Sequence, residues 1–268
     1  SVSTNSDGQR TVSYSESEQV VNRFTINGVS LKSGDAMPAT LTNKEIIPDE
    51  LIDAVLDHIA RYRLTVFPAL QQLPVFAACG PRRIKNVLRE CQRQSLIGSA
   101  PLHHGARYWY LDVLGAQACE LPEERVGPLS EPAKIRALAM LRFCCLSDRP
   151  RRRLTPEELA AAFPVIAPAG LPSGYYFDPA GTGRLGLCRV DAGRSGRWDR
   201  VVESVRQDIL QHLHRPGFRQ FIQAGRFEIT VLTVFRQKAK RIYESLLREA
   251  ERLPLQVVAL PELLPLIA

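Results

Sequence analysis

The spacing of apolar residues changes several times along the chain, and each change marks an element. Ile52, Val55, Leu56 and Ile59 recur at i, i+3, i+4 and i+7, the signature of an amphipathic helix. Asp49 and Glu50 sit in its first turn, where negative charge suits the helix dipole. A short second helix is expected over residues 65–72. Gly80-Pro81 then breaks the chain, with proline at a first helical position. A third helix is predicted over 81–94 with Ile84, Val87, Leu88 and Cys91 on its apolar face. Leu96-Ile97-Gly98, a polar turn around His103-His104-Gly105, and the run Arg107-Tyr108-Trp109-Tyr110-Leu111 read as two strands and their loop. A short helix over 114–121 follows, and Gly127-Pro128 ends this first region.

Beyond it, residues 130–146 form a helix with a broad apolar surface from Ile135, Leu138, Ala139, Leu141 and Phe143. That surface exceeds one packing face, so this helix is the expected contact of a homodimer. The run 149–153 reads as a basic linker. Thr155-Pro156-Glu157-Glu158 has the spacing of a capping box and opens another helix. The remainder alternates: strands at 175–177 and 185–190 across a turn at 179–183, a helix at 199–213, a buried strand at 227–235, a helix at 236–252 and a strand at 255–260. A β-β-α-β-α-β order predicts a mixed sheet flanked by helices. The fold class is therefore α+β. The expected divisions are an N-terminal arm (1–47), a first domain (48–128), a connecting helix and linker (129–153) and an α/β domain (154–268).

The arm is different in kind. Residues 1–18 are polar without periodicity and are expected to lack fixed structure. Asn27-Gly28 lies between apolar residues and could turn a small hairpin. No apolar run approaches the ~20 residues of a membrane helix, and no charged segment followed by an apolar one opens the chain. The expectation is a cytoplasmic protein, associated with the nucleoid if it binds DNA, with no membrane partner and no cofactor.

Charge sharpens this picture. The formal net charge is +7 and the pI about 9.3, a balance that favours polyanionic partners without specifying a fold. The excess concentrates near 82–107, 149–153 and 184–200. The six cysteines form no C-x-x-C pair and read as reduced core thiols, not a metal site. His212-x-His214 on a helix puts the two rings on different faces, so no metal is assigned there.

The third helix carries the most informative chemistry. Arg82, Asn86, Arg89 and Arg93 fall at i, i+4, i+7 and i+11, in one stripe opposite the apolar face, with Arg83 and Lys85 beside it. Arginine and asparagine have forked donors and acceptors that match guanine and adenine edges. Glu90 is the helix's only acid. A recognition helix followed by a two-stranded wing, with His103, His104 and Arg107 near the phosphate backbone, predicts a winged helix-turn-helix that binds double-stranded DNA. A winged helix that binds protein is the plainer alternative. Tyr108, Trp109 and Tyr110 read as core and sheet surface in preference to base-stacking groups.

Tyr108-Trp109-Tyr110-Leu111 with Leu114-Gly115, and Val190-Asp191-Ala192-Gly193-Arg194 before a helix, carry a resemblance to the replication-relaxation family of plasmids and integrative elements, running from about Leu51 to Leu260. The resemblance implies a second domain similar to the restriction-endonuclease-like fold. That fold, when catalytic, requires an acid at one strand end and acid-x-Lys on the next. Asp178 and Asp191 would be the acids, but Gly193 stands where lysine is needed, Arg189 sits where an acid would help, and Arg194 stays protonated. The site therefore reads as vestigial and the domain as non-catalytic. Gly181-Thr182-Gly183-Arg184-Leu185-Gly186 fits G-x-G-x-x-G by letter but runs into a strand, so it is no dinucleotide fingerprint. The expected function is a sequence-specific DNA-binding regulator of transcription carried by a mobile element. The alternatives are an accessory protein of replication or mobilisation, and a metal-dependent nuclease or nickase.

Overall fold

The computed structural model describes residues 3–4, 10–11, 47–103, 105–166, 171–180, 183–193 and 197–266. Ser1–Lys44 and Glu45–Ala268 are separate compact units. In the first, β1 (Ser3–Thr4) pairs antiparallel with β2 (Arg10–Thr11), within a stretch expected to lack structure. The hairpin expected at Asn27-Gly28 lies outside the described residues.

The second unit opens with a helical lobe. It contains α1 (Asp49–Tyr62), β3 (Thr65–Val66), α2 (Phe67–Gln71), α3 (Pro81–Arg93), β4 (Ile97–Pro101), β5 (Arg107–Leu111) and α4 (Val113–Ala118). The second helix is thus shorter than expected: Thr65 and Val66, both β-branched, pair with Trp109 and Tyr108 instead. The three strands form an antiparallel sheet in the order β3-β5-β4. Val55, Ile59, Leu70, Ile84, Val87 and Cys91 form the lobe's core. At Gly115 a side chain has no room, since a Cβ would lie 2.0 Å from the Leu96 carbonyl oxygen.

His58 is buried on α1, with Nε2 unpartnered and its ring 4.9 Å from that of Tyr62. Burial, and then the Arg61 charge, hold its pKa down to about 4. The unfolded chain therefore binds a proton that the folded chain refuses between the ordinary histidine value near 6.5 and about 4. The stability tied to neutral His58 should be complete above that window and vanish as the pH falls through it. Urea unfolding across pH 7 to 4 should show a smaller loss for His58→Leu than for the wild type; parallel profiles would reject the assignment.

A sheet lobe follows α5 (Glu131–Cys145). Its elements are β6 (Arg152–Arg153), α6 (Pro156–Ala162), β7 (Tyr175–Asp178), β8 (Arg184–Asp191), α7 (Asp199–His214), α8 (Pro216–Gln223), β9 (Phe227–Thr233), α9 (Arg236–Ser245), α10 (Leu247–Ala250) and β10 (Leu255–Ala259). The sheet order is β10-β9-β8-β7-β6. β8, β9 and β10 run parallel, while β7 is antiparallel to both β8 and β6. All seven residues of β9 are buried, as expected of a strand covered on both faces. Thr155 caps α6 in a complete capping box with Glu158. The helix expected over 236–252 is broken at Leu246, which is fully buried and leaves helical geometry at φ −111°. α8 was not anticipated, although Phe218, Phe221 and Ile222 carry helical spacing.

Two corrections concern the middle of the chain. The expected homodimer helix, α5, is buried on nearly every side, and its apolar surface is consumed within the chain. Tyr62, Leu64, Ala69 and Tyr108 of the helical lobe and Tyr176, Cys188 and Leu232 of the sheet lobe share one core with α5. Moreover, the expected basic linker contains an edge strand, Arg152–Arg153, paired with Phe177 and Tyr176. It joins the lobes: Arg61 binds Glu158, Arg153 Nη1 donates to the Arg61 carbonyl at 2.8 Å, and the Arg153 amide donates to the Tyr62 hydroxyl at 3.3 Å. The bond from Arg61 is the main reason the Glu158 carboxyl titrates near 2.

Candidate nucleic-acid interface

α3 is anchored by four buried residues, Ile84, Val87, Leu88 and Cys91. That fixes the opposite face outward. Arg82, Lys85, Arg89 and Arg93 are exposed, and Arg83 and Asn86 half-exposed. Arg89 Nη1 donates to Asn86 Oδ1 at 2.9 Å, so these two side chains present a joined set of polar groups. Arg93 is engaged by Glu90, with Nε 2.9 Å from Oε2, and Gln94 donates to the same carboxylate at 2.8 Å. The helix's one acid is thus engaged by two residues at its C-terminal end. Lys85 lies over the Phe67 ring at 5.8 Å, a contact with α2 that sequence spacing could not reveal.

The β4–β5 hairpin continues this surface. Arg107 donates to the Ser99 hydroxyl at 2.9 Å and its carbonyl at 3.2 Å, across the two strands. Gln92 Nε2 donates to the same hydroxyl at 3.2 Å. Ser99 therefore ties the hairpin to the exposed end of α3, a link not anticipated from the sequence. His103 lies in the connecting loop, half-exposed; His104 is outside the described residues. Tyr108 is buried, its hydroxyl accepting from the Leu129 amide at 3.2 Å, and Trp109 and Tyr110 pack against the flanking cores. Tyr108 is thus a core residue, and Trp109 and Tyr110 are half-exposed on the sheet.

The two acids expected to mark a vestigial nuclease-like site are not brought together. Asp178 pairs with Arg184 in the β7–β8 ladder, and Asp191 lies seven residues further along β8. At ~3.3 Å per residue they stand roughly 23 Å apart, so one divalent cation cannot contact both. Each already has cationic neighbours. Asp178 Oδ2 lies 3.2 Å from Arg151 Nε and 3.5 Å from Arg149. Asp191 Oδ2 lies 2.5 Å from Lys238, with Thr233 donating to it at 3.3 Å. Arg189, expected to displace an acid, is held by both oxygens of Asp208 at 2.5 Å. Arg194 is outside the described residues. Gly183 and Arg184 enter β8 directly, so the glycine motif leads into a strand. His212 is buried and bonded to the Tyr175 hydroxyl, with burial holding its pKa down, while His214 is exposed. Among the described residues no group of three His, Cys, Asp or Glu side chains is placed to hold a metal ion, and no helix is long and apolar enough to cross a membrane.

No family profile, curated protein or solved structure matches the chain.

Proposed function

We propose that the helical lobe is a winged helix-turn-helix that binds double-stranded DNA, and that the protein regulates transcription from the sites it recognises. The observation that carries this reading is the outward stripe Arg82, Asn86, Arg89 on a helix whose single acid is engaged by Arg93 and Gln94. A solvated helix of the ordinary kind mixes acids and bases; between Pro74 and Leu111 this chain has six lysines and arginines and one acid. α3 fits a major groove, and the hairpin bearing Arg107 lies beside it where a wing would meet the backbone. We read the sheet lobe, a five-stranded mixed sheet, as a non-catalytic domain of the restriction-endonuclease-like kind. Its two strand-end acids serve ion pairs at opposite ends of β8.

The test is binding of random and selected duplexes as salt is varied. If four to six phosphates are neutralised, log Kd should change with log salt at a slope of about 4 to 5. Replacing His103, His104 and Arg107 by alanine should reduce that slope and weaken all duplexes alike, because phosphate contacts carry no sequence information. Salt-independent binding, or none, would reject the reading in favour of a protein partner. Mapping of bound sites in the host genome separates promoters, which a regulator occupies, from replication or transfer origins.

A further inference from the structure

A cleft of about 760 Å³ opens between the two lobes, beside α5 and the end of β8. Six arginines line it: Arg63, Arg125, Arg136, Arg153, Arg189 and Arg200. Among the described residues only Arg189 has a carboxylate partner, Asp208. The one acid in the lining, Asp191, is neutralised by Lys238. Arg63, Arg125, Arg136, Arg153 and Arg200 are paired with no carboxylate among the described residues, and Arg63, Arg125 and Arg153 each donate one side-chain hydrogen bond, to a backbone carbonyl. Arg125 and Arg153 thereby meet the last carbonyls of α1, at Ala60 and Arg61. Capping the helix end uses one N–H of each of two guanidiniums, which leaves donors to spare on both and on Arg63 beside them. The Nε groups of Arg63 and Arg125 are buried without any partner. Burial, and then the charges of Arg63 and Arg153, push Arg125 down to about 10, so the three cations repel one another.

The backbone adds a second sign. Arg63 ends α1 in the left-handed region, at φ 73°, where glycine is the usual residue. An arginine kept at that position holds a guanidinium in the cleft at a conformational cost. The N-terminal part of α7 contributes Arg200 and Ser204 to the same cavity, bringing the positive end of a 16-residue helix to it. The rest of the wall is apolar, including Leu129, Ala137, Met140 and Val201. A cavity of this size with a charged side and an apolar side is proportioned for a small molecule.

We propose that this cleft binds a small phosphate-bearing ligand of the nucleotide class, its phosphates among Arg63, Arg125 and Arg153 and its uncharged body against the apolar wall. Because both lobes supply arginines, occupancy ties the helical lobe to the sheet lobe and gives DNA binding an effector input. The site stands on residues separate from the α3 stripe, so either assignment survives failure of the other.

Titration calorimetry of the full chain with pyrophosphate and with ATP tests this, at 0.15 M sodium chloride. Saturable one-to-one binding is expected for both, tighter for ATP. Arg136→Ala with Arg200→Ala, at two exposed positions, should weaken binding at least tenfold without changing the melting temperature of the free protein. Arg63→Gly should abolish binding while relieving the left-handed backbone. Arg82→Ala with Arg89→Ala should bind pyrophosphate as the wild type does. Absence of saturable binding, equal binding by the cleft variants, or loss in the α3 variant would each overturn the proposal. So would a proportionate loss of duplex affinity in the cleft variants with displacement of duplex by pyrophosphate, which would make the phosphates those of a DNA backbone.

Discussion

Replacing Arg82, Asn86 and Arg89 together by alanine is expected to remove sequence-specific DNA binding while leaving the fold intact. A well-placed bidentate contact to a base edge contributes ~1–3 kcal/mol of discrimination. Loss of the stripe should therefore cost about 3–6 kcal/mol in total, on the order of a 10²- to 10⁴-fold fall in affinity for the selected site. The contributions should not add, because Arg89 donates to Asn86 at 2.9 Å and the two side chains share that bond. Stability should hold: all three side chains point away from Ile84, Val87, Leu88 and Cys91, and alanine is the better helix former. Affinity for unrelated duplexes should fall much less, since Arg83, Lys85, Arg93 and Arg107 remain to meet phosphates. A gel-shift titration in which the triple variant matches the wild type on the selected site, at an unchanged melting temperature, would remove α3 from the interface.

The difference between what sequence revealed and what it hid follows the range of the interactions. α1, α3 and the β4–β5 hairpin were legible because their cause is local: apolar residues at helical spacing, a proline at the start, a polar turn between two short runs. The same local logic identified the capping box at Thr155, and it placed the outward stripe of α3, since a helix with one apolar face has only one other face to offer. The fate of α5 was not legible. Its broad apolar surface suited a dimer contact or an interior helix equally, and only the packing of Tyr62 and Tyr108 on one side and Tyr176 on the other decides between them. β6 was hidden for a similar reason, because two arginines have no strand propensity and pair there through neighbours distant in sequence. The cleft shows this most clearly. Arg63, Arg125, Arg153 and Arg200 span 137 positions of the chain and lie in four different segments, so no spacing rule could gather them. A signal existed at Arg63 alone, a non-glycine residue just past the end of a strongly periodic helix.

Asp178 should behave as a structural ion-pair partner in spite of its place at a strand end. It is 2% exposed, and the Arg151 side chain, 8% exposed, lies 3.2 Å away with its guanidinium stacked over Phe143 at 4.2 Å. Asp178 also accepts from the Ala180 amide at 3.0 Å, which shapes the turn into β8. Asp178→Ala would leave the buried Arg151 cation without its anion, and removing one partner of a buried pair costs about 3–5 kcal/mol. Asp178→Asn keeps an acceptor for Ala180 and should cost less. Removing both charges, with Arg151→Met added to Asp178→Ala, should recover part of the loss, because the stranded cation is the larger penalty and Met can still pack against Phe143. Urea unfolding measures all four proteins. A loss below about 1 kcal/mol for Asp178→Ala would mean that Arg151 escapes to water and the carboxylate is not needed for the fold. This bears directly on any assay for DNA cleavage: nicking that disappeared in Asp178→Ala would be uninterpretable, since the fold itself is expected to weaken. The informative variant is Asp178→Asn, tested with Mg²⁺ and Mn²⁺ on supercoiled plasmid. Wild type and variant alike are expected to leave the plasmid intact, because Asp178 faces Arg151 and Arg149 while Asp191, roughly 23 Å along the sheet, is held by Lys238.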